Sequence, residues 1–169
     1  EAAFSTRNRR IGVIGTAATI RSRSYEALLR RLVPGVEITA RPCPLFVPLV
    51  EEGLFHDSVT DEIASRYLSS LKEKYIDTLV MGCTHYPLIR STIREVMGEK
   101  VRLVNPAYET ALELKNLLQK TNMLSTGQQE EEFPYRFYVS DLAEKFKDFA
   151  NSILPYNVEK TQKIDIEKY

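Results

Sequence analysis

From about residue 10 to residue 120, short apolar runs alternate with amphipathic stretches. Ile11-Gly12-Val13-Ile14 is apolar and ends at Gly15, which predicts a short buried strand. Residues 24–32 carry a helical pattern, stopped by Pro34-Gly35. Residues 36–40 form the second strand candidate. Residues 41–54 hold three prolines and a glycine and predict a long loop. Val59, Ile63, Tyr67 and Leu71 recur every four residues, as one face of a helix does. Residues 78–81 are the next strand, running into Gly82-Cys83-Thr84-His85-Tyr86. Pro87 then stands where the first turn of a helix tolerates it, and Leu88, Ile89, Ile93 and Val96 supply that helix's apolar face. Residues 101–104 predict a fourth strand. Pro106 opens a further helix, with Ala107, Ala111, Leu114 and Leu118 facing inward.

Beyond that helix the pattern weakens. Residues 122–132 are polar, with an acidic run around Glu130, and predict a mobile, solvated loop. A strand is expected over 135–139. A helix follows, capped in the Ser140-Asp141 region and lined by Leu142, Phe146, Phe149 and Ile153. Residues 158–166 alternate weakly and suit an edge strand. There is no internal repeat. Strand–helix alternation of this kind predicts an α/β fold with a parallel sheet flanked by helices. Ligands in such sheets bind beyond the carboxyl ends of the strands, where Gly15-Thr16 and Gly82-Cys83-Thr84 fall.

Composition narrows the function classes. A chain of 169 residues suits one domain, or one and a fraction. Lys plus Arg equals Asp plus Glu, 23 each, so nothing points to nucleic acid or to an anionic membrane surface. No apolar run has the length of a membrane span. Two cysteines, Cys43 and Cys83, make no disulfide framework, and no CxxC pair suggests a metal site. A reducing cytoplasm is expected. The start lacks both Met and a signal-peptide pattern, which suggests a piece of a longer chain.

The strongest chemical signal is Cys83. A thiol between a strand end and the next helix meets unpaired backbone N–H groups that favour an anion. His85 stands two residues on, able to tune the thiol or donate to a substrate oxygen, and Thr84 adds a hydroxyl and an N–H. The alternative is a small core cysteine beside a satisfied surface histidine. Thr16 and Thr19 open a second strand–helix junction suited to a carboxylate or phosphate; plain helix capping explains them equally well. The missing GxGxxG and GxxxxGK[ST] patterns argue against a nucleotide. The apolar stretch from Cys43 to Gly53 ends in Glu51 and Glu52. It suits a lid that excludes water and places a carboxylate, or a buried loop with solvated acids. Cys43 reads as packing, and His56 as a local cap or surface residue.

Three segments resemble the aspartate/glutamate racemase family. Met81-Gly82-Cys83-Thr84-His85-Tyr86-Pro87-Leu88 is similar to its second cysteine signature. The run from Ile11 to Thr19 and the run from Cys43 to Gly53 resemble its glutamate-specific members, with Leu54 where a tryptophan is expected. The resemblance implies two α/β lobes facing each other across the site, each supplying one thiol. Residues 9–105 would be the second lobe, carrying Cys83. Residues 106–169 would return to complete the first lobe, and the N-terminal half of the family's chain would be absent. It implies Cys83, His85 and Glu51 as catalytic residues, with Glu52 the alternative to Glu51. Thr84, Thr16 and Thr19 would bind substrate. It implies no cofactor and no metal. The activity would be interconversion of L- and D-glutamate for peptidoglycan, with this chain alone inactive or half-active. Implied partners are glutamate, the absent half of the same enzyme and a second copy in a homodimer. Two alternatives stand beside it: a catalytically inactive amino-acid-binding module, and a related racemase acting on aspartate or a hydantoin. Apolar faces in 106–169 predict exposed hydrophobic surface and association.

Overall fold

The computed structural model describes residues 1–125 and 135–168. The elements run α1 (Ala2–Ser5), β1 (Arg10–Gly15), α2 (Ala17–Ser22), α3 (Ser24–Leu32), β2 (Glu37–Pro42), α4 (Phe46–Glu51), α5 (Ser58–Lys72) and β3 (Thr78–Gly82). A 3₁₀ turn (Tyr86–Ile89) follows, then α6 (Arg90–Met97), β4 (Arg102–Val104), α7 (Pro106–Lys120), β5 (Phe137–Val139), α8 (Ala143–Ile153) and β6 (Thr161–Lys163). The chain divides into two compact units, Glu1–Leu124 and Ser125–Tyr169. The acidic run around Glu130 lies outside the described residues.

In the first unit, four parallel strands stand in the order β2-β1-β3-β4. The central strands read as continuous apolar runs because both faces of a parallel sheet are covered. Ile11 and Val13 of β1 join Val80, Val104, Ala2 of α1 and Leu29 of α3 in one cluster. On the opposite face, Gly12 lies against Leu71 of α5, Ile76 and Leu79. The expected α/β class with helices flanking a parallel sheet is what the structure shows.

Several elements differ from their sequence-based expectation. The segment 41–54 is not wholly a loop, because α4 forms inside it. Pro42 and Pro44 precede that helix and Pro48 sits in its first turn, where no N–H is needed, so no proline breaks an internal bond. On α5 the buried residues are Thr60, Ala64, Leu68 and Leu71, while Val59 is exposed. A strict four-residue spacing drifts about 40° per step around a helix of 3.6 residues per turn, so the core face follows the mixed spacing instead. No residue of α7 is buried, and Ala107, Ala111 and Leu114 are exposed rather than inward.

In the second unit, β5 pairs in parallel with β6, and α8 packs against β6. The cap of α8 is Leu142 in the left-handed region at φ 44°, not the Ser140-Asp141 pair. Asp141 instead accepts a bond from Lys163 Nζ at 3.1 Å, which holds its carboxyl below the usual range.

Candidate active site

The order β2-β1-β3-β4 creates a crevice. The chain leaves β1 towards β2 on one side and leaves β3 towards β4 on the other, so the connections diverge from adjacent strand ends. Such a switch point is where parallel α/β sheets bind ligands. Gly15 and Gly82 end the two strands and stand opposite each other in register. Thr16 follows one, and Cys83 follows the other.

Both glycines permit close approach. A Cβ at Gly15 would lie 3.1 Å from Thr19 and 3.3 Å from the Gly82 carbonyl oxygen. A Cβ at Gly82 would lie 2.9 Å from the Ile14 carbonyl oxygen and 2.9 Å from the Tyr25 ring. Tyr25, near the start of α3, therefore backs the residue before the thiol. Its hydroxyl is pushed above the usual phenol range, first by burial and then by the negative charge Cys83 carries when ionised.

Cys83 is half-buried, and its Sγ lies 3.9 Å from His85 Nδ1. Thr84 Oγ1 lies 3.4 Å from the same nitrogen. On the far side of the ring, His85 Nε2 lies 3.3 Å from Glu51 Oε1 at the end of α4. Both partners of this contact keep some solvent exposure, 24% and 37% of the side chain. Of the two candidate acids, Glu51 is the one that reaches the histidine, and Glu52 caps α4 through its backbone. An imidazole gripped at one nitrogen is held in one orientation, which presents the other nitrogen to the thiol. The element after Cys83 opens as a four-residue 3₁₀ turn, with Tyr86 N–H bonded back to the Cys83 carbonyl at 3.3 Å. The N–H groups near the thiol thus belong to a tight turn rather than to the expected helix start.

Thr16 is the N-cap of α2: its Oγ1 accepts from Thr19 N at 3.2 Å and lies 3.0 Å from Thr19 Oγ1. The capping interpretation is realised in this geometry. Two hydroxyls bonded to each other still retain one donor hydrogen, which is available to an anion in the crevice. Cys43 is fully buried, and burial pushes its thiol up to about 12 against the opposing pull of Arg41. It is inert as a nucleophile near neutrality. His56 is exposed beside Asp57, the N-cap of α5. Among the described residues, no three His, Cys, Asp or Glu side chains gather as a metal site. No described helix is long and apolar enough to cross a membrane.

Sequence reasoning missed Tyr25 and Tyr86. Tyr86 is fully buried, and its hydroxyl donates to the Cys43 carbonyl at 2.8 Å. The only sequence signal for Tyr25 was the glycine before Cys83, which implies a close neighbour without naming it.

The Asp/Glu/hydantoin racemase family profile matches residues 1–134. The chain is 43% identical to a glutamate racemase of Thermoanaerobacter sp. strain X514, over 99% of its own length and 62% of that relative. It is 40% identical to the glutamate racemase of Enterococcus faecalis, over 95% of its length and 59% of the relative. The fold is similar to the crystal structure of glutamate racemase isoform RacE1 from Bacillus anthracis, with a TM-score of 0.88 at 33% identity, covering 98% of this chain and 60% of that one. It is also similar to the glutamate racemase of Francisella tularensis solved with D-glutamate, with a TM-score of 0.84 at 33% identity, covering 95% and 59%. The chain thus spans about three fifths of the length of these relatives.

Proposed function

Because the chain belongs to the Asp/Glu/hydantoin racemase family, we propose that it is the Cys83-bearing part of a cofactor-independent glutamate racemase. The observation that carries this reading is the run of contacts Cys83–His85–Glu51 after the end of β3, with the Thr16–Thr19 hydroxyls following the adjacent end of β1. A thiol, a polarised imidazole and a carboxylate meet where a small anionic substrate would be gripped.

Racemisation takes a proton from one face of the α-carbon and returns one to the other. In the proposed reaction the Cys83 thiolate removes the α-proton of L-glutamate: the C–H bond breaks, its electron pair stays on carbon, and an S–H bond forms. A second thiol on the opposite face then gives its proton to the carbanion. The reverse reaction exchanges the roles. Glu51 fixes the His85 ring, and His85 supports the proton on or off Cys83. Thr84, Thr16 and Thr19 hold the substrate's polar groups, the threonine hydroxyls donating to a carboxylate. The second thiol belongs to a segment outside this chain; Cys43, sealed in the core, does not supply it. We further propose that 9–105 is one lobe, that 106–169 belongs with the other, and that the reaction supplies D-glutamate for peptidoglycan in the cytoplasm.

The test follows loss of the α-proton and inversion of glutamate in D₂O by the full-length protein. The expected result is exchange and inversion from both enantiomers, with exchange from L-glutamate lost in Cys83→Ala. Inversion of aspartate or a hydantoin in preference to glutamate would move the substrate within the family. Tight glutamate binding with neither exchange nor inversion would make the protein a binding module and overturn the reading.

A further inference from the structure

The turn bearing Cys83 and His85 and the helix bearing Glu51 belong to different crossovers of the sheet, so something must fix their distance. Tyr86 follows His85 directly, and its side chain is fully buried. Its hydroxyl donates to the Cys43 carbonyl at 2.8 Å, just ahead of α4. Its ring meets Phe46, the first residue of α4, edge to face with centroids 5.2 Å apart. On its other side Phe46 meets Tyr67 of α5 in the same manner at 5.3 Å. The Tyr67 hydroxyl accepts from Leu45 N at 3.4 Å. The leading end of α4 is therefore gripped between two tyrosines, and Glu51 stands at the other end of the same six-residue helix. At six residues α4 is less than two turns long, so a grip at its leading end constrains where the carboxylate at its other end can stand.

We propose that Tyr86 is a positioning residue for proton transfer: its buried bond to Cys43 and its contact with Phe46 lock α4 against the Cys83 turn, so that Glu51 holds His85 with Nδ1 towards the thiol. This rests on the proton-transfer reading of the site given above. The hydroxyl has a specific part in it. A phenylalanine would fill the same space, but a buried hydroxyl is costly unless bonded, and this one bonds the backbone that enters α4. Burial, the largest cause, pushes the phenol far above its usual range, in keeping with a hydroxyl sealed in the core as a neutral donor.

The test is Tyr86→Phe in the full-length protein, beside Glu51→Gln and the double variant. For glutamate inversion, Tyr86→Phe is expected to lower kcat about tenfold with KM within about twofold. The double variant should be no slower than Glu51→Gln alone, since both changes break the same relay. In substrate-free protein, the His85 ring ¹⁵N resonances should move in the same direction in Tyr86→Phe as in Glu51→Gln. Multiplying rate effects, or unmoved resonances, would overturn the proposal. So would a lowered melting temperature with kcat and resonances intact, which would leave Tyr86 a packing residue. If Tyr86→Phe fails to fold, Phe46→Leu loosens the same contact from the α4 side and is read by the same measurements. If the unaltered protein does not invert glutamate, the functional reading falls, and the His85 resonances alone decide the part of Tyr86.

Discussion

A methyl group at Gly82 would stand 2.9 Å from a backbone oxygen, which cannot swing aside as a side chain can. Gly82→Ala is therefore expected to destabilise the protein by about 1–3 kcal/mol, and to move the neighbouring thiol. Urea denaturation and single-turnover kinetics check this together: the rate should fall further than the lost stability accounts for. Cys43 gives a prediction in pH. Its thiol is held neutral in the fold up to about 12, whereas an unfolded thiol ionises near 8.5. The unfolded state thus sheds its proton first, so this contribution is intact below about 8.5 and fades as pH climbs towards the folded value. Denaturation at neutral and alkaline pH should show a fall that flattens in Cys43→Ala. The strand-end glycine, the thiol and the histidine were legible in the sequence because four adjacent letters carry them. Tyr86 was not, because its partner lies 43 residues away.

At the scale of elements, Asp77 ties the segment before β1 to the start of β3. Its carboxylate accepts from Arg7 N and Asn8 N at 2.7 Å each, from Thr6 Oγ1 at 2.8 Å and from Thr78 Oγ1 at 2.9 Å. Burial pushes its titration up, but these bonds outweigh it and the net direction is down. A lowered carboxyl stabilises the fold above the usual carboxylate value and loses that effect as pH falls through the folded one. Asp77→Asn should cost about 1–3 kcal/mol at neutral pH, with the gap to the unaltered protein closing below about pH 4 in an acid titration of stability. None of this was visible in a pattern of apolar positions, because an aspartate before a strand looks like any solvated turn. The strands and α3 were visible, since bounded apolar runs and a clear helical stripe are local signals. The helix α4 was hidden by three nearby prolines, which are harmless because two precede it and Pro48 falls in its first turn.

For the whole molecule, the parallel sheet followed from strand–helix alternation, but its order did not, because pairing is set by contacts far apart in sequence. The division at Leu124/Ser125 falls in the stretch whose polar composition, over 122–132, already read as a loop. Tyr108, Leu112, Leu114 and Leu117 of α7 are all exposed, on a helix with no buried residue. The 169-residue chain alone is therefore expected to bind a hydrophobic dye and to associate with rising concentration, as light scattering would report. On the proposed two-part reading, adding the segment that would carry the second thiol should suppress both. The same isolated chain is expected to fail at inverting glutamate in a chiral assay; full inversion would require a second thiol in reach and would refute the two-part account of the site.

The contrast between the two cysteines turns the molecule into its own chronometer. Cys83 is half-buried and is expected to meet a small thiol-reactive reagent in the native state, while Cys43 is sealed and must wait for the first unit to open. In a pulsed labelling experiment read by mass spectrometry, the first tag marks every native molecule and the second arrives only with unfolding. The interval between them times the opening of the core with no probe introduced.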